Sequence, residues 1–208
     1  MKVTLLGDSI RQQYCGKVRE LLGADFEVWA PEENCRFAKY TLRGLFDWAE
    51  NMKGTDIVHW NNGLWDVCNL FGDGTFSNED EYAETMIRIA DILQKRCRAI
   101  IFATTTPVRT TNKYNSNEDI DRFNQRMVSL LRERGVIIND LNALLRSDID
   151  KYICDDTIHL SEIGINVCAE RIAACIKDAV EHLSNPSVDG VRLDAEPQEG
   201  GVGAPILL

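Results

Sequence analysis

The chain has 208 residues, of which 44% are hydrophobic, and carries a net charge of -10 at pH 7. That length and apolar content suffice for one full core. The acidic balance excludes a nucleic-acid or anionic-membrane surface, which rests on clustered Lys and Arg, and no run of about 20 apolar residues exists to span a bilayer.

Residues 3–6 (VTLL) form a continuous β-prone run, as expected of a central strand buried on both faces. Gly7 ends it, and 10–22 reads as a helix with Ile10, Tyr14, Val18 and Leu22 on one face. Ser9 therefore falls at a strand-to-helix turn. Such a turn presents a hydroxyl and a helix N-terminus to one point in space, which suits a nucleophile and the anion formed beside it. The simpler reading is that Asp8 and Ser9 cap the helix.

A second strand is expected over 26–30 (FEVWA), a turn from Pro31 through Asn34, and a helix over about 39–52. Residues 56–60 (DIVHW) form a third strand running into Asn61, Asn62 and Gly63. That position matters because ligands of open α/β sheets bind outside the carboxyl ends of the strands. A glycine-containing loop over 70–78 precedes a helix over 79–95, and 98–103 supplies a fourth strand. The polar segment 108–117 lacks periodicity and reads as a functional loop over the sheet edge. A helix over 117–134, a fifth strand over 136–138 and a short helix or turn over 140–146 follow. Residues 148–158 read as irregular and acidic, and the last helix spans about 161–183. From 184 to 208 the composition shifts to Gly, Pro, Asp and Glu, as expected of a flexible or loosely docked tail.

Strands alternating with helices predict a three-layer α/β/α sandwich around a five-stranded parallel sheet in flavodoxin-like order. Ser9, Asn61 and Thr104 would then share one edge. No GxGxxG or Walker-type loop follows the first strand, so the phosphate cradle of a nucleotide-binding domain is missing. The seven cysteines are an odd number without a CxxC pair, which favours reduced thiols; Cys168 and Cys175 read as small core residues. The N-terminus reads as a folded strand rather than a charged leader with an apolar region, and the expected location is the cytoplasm.

A serine hydroxyl needs a base, usually a histidine oriented by a carboxylate. His182 ends the last helix, where its charged form suits the dipole, and His59 lies inside the third strand as a core or supporting residue. His159 stands before the last helix in the run Asp155, Asp156, Thr157, Ile158, His159. An acid three residues ahead of it can reach Nδ1 and leave Nε2 for the serine. Both acids could equally be solvated loop residues.

GDSI at the first strand end, together with DTIHLSEIG before the last helix, resembles the SGNH, or GDSL-type, hydrolases, a family of serine esterases and lipases. The resemblance extends over residues 1–183. It implies Ser9 as nucleophile, His159 as general base and acid, and Asp156 as the carboxylate that orients His159, with Asp155 the weaker choice. It also implies an oxyanion hole from the Ser9 N–H, a backbone N–H in the loop after the second strand, aligned at Arg36, and an asparagine amide after the third strand. A positive φ at Arg36 would be strained without glycine. In the third block Gly63 and Asp66 align but Trp65 replaces the usual asparagine. Asn61 is then the first choice of side-chain donor, with Asn62 or the indole of Trp65 as substitutes.

Trp60 and Trp65 read either as packing residues or as a sugar platform beside the polar loop 109–117. No metal or organic cofactor is needed. The expected partner is a small-molecule or carbohydrate ester, preferentially an acetyl ester. The alternatives are a lysophospholipase or thioesterase of the same family, or a non-catalytic binding member.

Overall fold

The computed structural model describes residues 1–184. The expected tail, apart from its first residue, lies outside the described residues. Strand β1 (Lys2–Leu6) is buried from its second residue onward and sits inside a five-stranded parallel sheet of order β2-β1-β3-β4-β5. The other strands are β2 (Glu27–Trp29), β3 (Ile57–Trp60), β4 (Ala99–Ala103) and β5 (Ile137–Asn139). Every pairing is parallel, with Leu6 opposite Trp60 and Trp60 opposite Phe102, so the carboxyl ends of β1, β3 and β4 are level. This is the flavodoxin-like order the alternating pattern predicts.

Helix α1 (Ser9–Leu22) buries Ile10, Tyr14, Val18 and Leu22 at four-residue spacing, the expected apolar stripe. Helices α2 (Ala38–Asp47), α3 (Glu79–Gln94) and α4 (Asn117–Arg132) pack in succession, while α1 packs against α7 (Glu162–Ser184). Two short helices, α5 (Leu141–Arg146) and α6 (Ile149–Tyr152), lead into α7. Among the described residues no helix is long and apolar enough to cross a membrane.

Two expectations need correction. Helix α2 stops at Asp47 rather than Met52 because Trp48 folds back over Gly44: a Cβ there would lie 2.2 Å from the indole. The indole N–H then donates to Glu33 at 2.9 Å. The supposedly irregular stretch 148–158 contains α6, whose first turn is capped by the Asp148 side chain. Four residues are too few to show a helical period.

Gly164 brings α6 and α7 into backbone contact. A Cβ at that position would lie 2.2 Å from the Tyr152 carbonyl oxygen. This close approach fixes where the loop 153–161 leaves the sheet edge.

Candidate active site

Asp8 is the N-cap of α1, its carboxylate accepting the Ile10 N–H at 3.0 Å, and Ser9 is the first helical residue. The cap is thus supplied by Asp8, and the Ser9 hydroxyl is not needed for it. At the first helical position the backbone N–H has no partner within the helix, so the Ser9 N–H is not engaged in the α1 ladder. Gly7 permits the sharp exit from β1, since a Cβ there would meet Arg11 Cβ at 2.7 Å.

The loop before α7 closes on Ser9. His159 Nε2 lies 2.9 Å from Ser9 Oγ, and His159 Nδ1 lies 2.7 Å from Asp156 Oδ2. The other oxygen of Asp156 accepts the backbone N–H groups of Ile158 and His159 at 3.1 and 2.9 Å. Burial acts to raise the Asp156 pKa, but these hydrogen bonds and the imidazole outweigh it and hold the carboxyl below its ordinary range. An ionised carboxylate only accepts, so Nδ1 carries the proton and donates to it. Nε2 is then the acceptor of the Ser9 hydroxyl proton.

Asp155 points elsewhere, with its carboxylate 3.0 Å from the Arg109 guanidinium. Arg109 also donates through Nε to the Ile153 carbonyl at 2.9 Å, and its backbone N–H donates to the Thr157 carbonyl at 3.0 Å. Thr157 has φ +76°, an uncommon conformation for a β-branched residue, and Asn112 donates to its hydroxyl at 2.9 Å. These bonds hold the turn that carries Asp156 and His159. The loop 109–117 is therefore bound into the histidine loop at Arg109 and Asn112, and Asn115 donates to the Leu64 carbonyl at 2.8 Å. Arg109, Asn112, Asn115 and Asn117 thus spend their side chains on internal bonds, while Thr110, Thr111, Lys113 and Tyr114 are exposed.

The expected oxyanion candidates lie in the loops that follow β2 and β3. Arg36 has φ +50°, and its N–H donates to the Asn34 side-chain oxygen at 2.7 Å. Arg11, a buried residue of α1, holds this loop by donating to the carbonyls of Pro31 and Glu33 at 2.9 and 2.6 Å. The backbone of Asn61 lies beside Gly7, and its amide donates one hydrogen to the Ala103 carbonyl at 2.8 Å, leaving a second. Asn62 is fully buried and turned away. It donates to the Arg36 carbonyl at 2.9 Å, accepts the Trp60 indole N–H at 2.7 Å, and accepts the Tyr82 hydroxyl on its backbone oxygen at 2.7 Å. Its amide thus spends one hydrogen on the Arg36 loop.

Trp60 is fully buried against Phe102, which corrects its reading as a sugar platform. Trp65 is 41% exposed and Tyr114 55%, and their loops are joined by the Asn69 N–H donating to the Tyr114 carbonyl at 2.7 Å. Asp66 accepts the Ala38 N–H at 3.0 Å and the Ser77 hydroxyl at 2.6 Å, so it caps α2 from the neighbouring loop. Burial pushes its carboxyl up to about 7 against those bonds. Burial likewise pushes Asp8 up to about 6, opposed by the Ile10 N–H and by the charges of Arg11 and His159. His59 is buried within β3, where desolvation lowers its pKa to about 3, and it stands 3.3 Å from the Asn139 amide. His182 lies in the last turn of α7.

A cavity of about 680 Å³ lies away from this cluster, lined by Thr104, Asn124, Arg132, Asp140 and Asn142 among others. Its buried amides, Asn124 and Asn142, are bonded to the Thr105 backbone.

No protein-family model matches the chain, and a search of curated proteins finds no relative. Solved structures do match. The acetyl xylan esterase AlAXEase superposes with a TM-score of 0.69 at 19% identity, over 85% of this chain and 100% of that one. A lipase/acylhydrolase from Enterococcus faecalis gives 0.73 at 16% identity, over 86% and 96%. A GDSL-like lipase from Bacteroides thetaiotaomicron gives 0.68 at 15% identity, over 88% of both chains. The chain therefore shares the α/β fold of these esterase and lipase structures.

Proposed function

We propose that the protein is a serine esterase that removes a small acyl group, acetyl foremost, from a carbohydrate ester. The observation that carries this reading is the continuous relay from Ser9 through His159 to Asp156, at 2.9 and 2.7 Å. In the proposed mechanism His159 Nε2 takes the hydroxyl proton as Ser9 Oγ attacks the ester carbonyl carbon. The oxyanion is met by the Ser9 N–H and the second amide hydrogen of Asn61, and by the Arg36 N–H once the Asn34 oxygen yields it. Collapse breaks the ester C–O bond, and the departing alcohol takes the proton from His159. Water then gives a proton to His159 as it attacks the acyl carbon, and Ser9 recovers that proton as the acid leaves. The scheme uses no metal or organic cofactor.

Two further observations favour the acetyl and carbohydrate parts. Structural neighbours include acetyl xylan esterases, and Trp65 and Tyr114 expose aromatic faces in loops beyond the strand ends. The free state of all seven cysteines supports the expected cytoplasmic location. The test is hydrolysis of p-nitrophenyl acetate and octanoate by the wild type and Ser9→Ala. Ser9-dependent turnover favouring acetate supports the reading. Octanoate preference would replace the short pocket with an acyl channel, and equal release by both proteins would remove Ser9 from the mechanism.

A further inference from the structure

The two halves of the relay are 150 residues apart in sequence, and between Ser9 and His159 themselves only the Oγ–Nε2 contact joins their loops. One side chain spans that gap. Gln13 lies one turn after Ser9 on α1, four residues on and therefore on the same face. Its Nε2 donates to the Leu160 carbonyl at 3.1 Å, and its Oε1 accepts the Leu160 N–H at 2.9 Å. Both polar groups of the residue next to His159 are thus held by the helix that carries Ser9. A two-point bond of this kind fixes orientation as well as distance.

We infer that Gln13 is a positioning residue that sets the Ser9–His159 separation. The inference rests on the proposed role of Ser9 and His159. The histidine loop closes on itself through an antiparallel bridge between Ile153 and Leu160, with the Cys154 N–H donating to the His159 carbonyl at 2.7 Å. Arg109 grips the loop through Ile153 and Thr157, but Arg109 belongs to the segment after β4 and has no bond to α1. Besides the α1–α7 packing and the Ser9–His159 bond itself, Gln13 is therefore the side chain that bonds this loop to the nucleophile's own helix among the described residues. Leu160 is 1% exposed, so water does not readily replace an amide lost from its peptide groups.

The test uses Gln13→Ala and Gln13→Met, the second keeping the volume and flexibility of the side chain without its amide. A misplacement of about 1 Å between reacting groups costs on the order of 10²-fold, so kcat for p-nitrophenyl acetate should fall about 10- to 100-fold while KM stays within about twofold. Covalent labelling by a fluorophosphonate should slow in proportion, and the Leu160 amide should exchange faster with solvent. A merely structural glutamine would lower the unfolding midpoint without the selective loss of kcat. Wild-type kcat and labelling in both variants, or unchanged Leu160 exchange, would overturn the inference. Should Ser9→Ala prove as active as the wild type, the reading of the relay fails instead, and faster Leu160 exchange would still separate that failure from one of the clamp.

Discussion

Arg109 holds the Asp155 carboxylate at 3.0 Å, and the adjacent carboxylate of Asp156 faces the imidazole of His159 at 2.7 Å. Two neighbouring acids of the same type thus have different partners. Asp156→Asn would present an amide to Nδ1 and favour the wrong tautomer, so kcat should fall by on the order of 10⁴-fold. Asp155→Asn leaves the relay intact and should lower kcat by less than about threefold, because it alters only an exposed ion pair. Steady-state kinetics of the two variants checks this directly.

Asn61 and Asn62 are adjacent yet separable. Removing the Asn61 amide takes away one proposed oxyanion donor, so Asn61→Ala should lose about 10²- to 10³-fold in kcat. Asn62→Ala instead leaves the Trp60 indole N–H and the Arg36 carbonyl without their partner. Its signature is a loss of stability of about 1–3 kcal/mol in denaturant unfolding. An Asn61→Ala variant with full kcat would remove that residue from the oxyanion site.

Arg36 enters the scheme through its backbone, so its side chain is dispensable. Its φ of +50° suits glycine, and Arg36→Gly should keep kcat within about threefold without lowering the unfolding midpoint. Arg36→Val places a β-branched residue in the same conformation and should destabilise the protein by about 1–3 kcal/mol. A loss of more than about tenfold in kcat for the glycine variant would assign the function to the guanidinium rather than the N–H.

Asp8 gives a pH-dependent stability with a definite sign. Its carboxyl is pushed from 3.8 up to about 6 by burial, so the folded state binds its proton more tightly than the unfolded chain does. The resulting penalty is nearly absent below about pH 4, grows as pH rises through 6, and is constant above. Asn keeps the cap, since its side-chain oxygen can also accept the Ile10 N–H. The stability of Asp8→Asn relative to wild type should therefore increase by on the order of 2 kcal/mol between pH 4 and pH 8, measured by urea unfolding. A difference independent of pH would contradict the assignment of this shift to Asp8.

Much of the site was legible in sequence because its defining residues are local. Asp8 next to Ser9 at a strand end, and Asp156 three residues before His159, are short patterns whose geometry follows from one turn of chain. The strand order followed from alternation of strands and helices. What could not be read were the bonds from side chains to distant backbone carbonyls. Arg109 on the Ile153 carbonyl, Asn62 on the Arg36 carbonyl and Gln13 on the Leu160 peptide place no demand on the residue type of the acceptor. The polar segment 109–117 consequently resembled a binding loop, although it braces the histidine turn. Trp60 was ambiguous for a related reason: a tryptophan at a strand end can line a pocket or fill a core, and its partner Asn62 decides the matter.

The most direct test of the account is where a serine-directed probe attaches. The protein is incubated with a fluorophosphonate, and the adduct is located by intact mass and peptide mapping, with Ser9→Ala and His159→Ala as comparisons. The account predicts one adduct per chain on Ser9, none in Ser9→Ala, and labelling slowed by on the order of 10³-fold or more in His159→Ala. An unlabelled wild type, or an adduct on another residue that persists in Ser9→Ala, would contradict it.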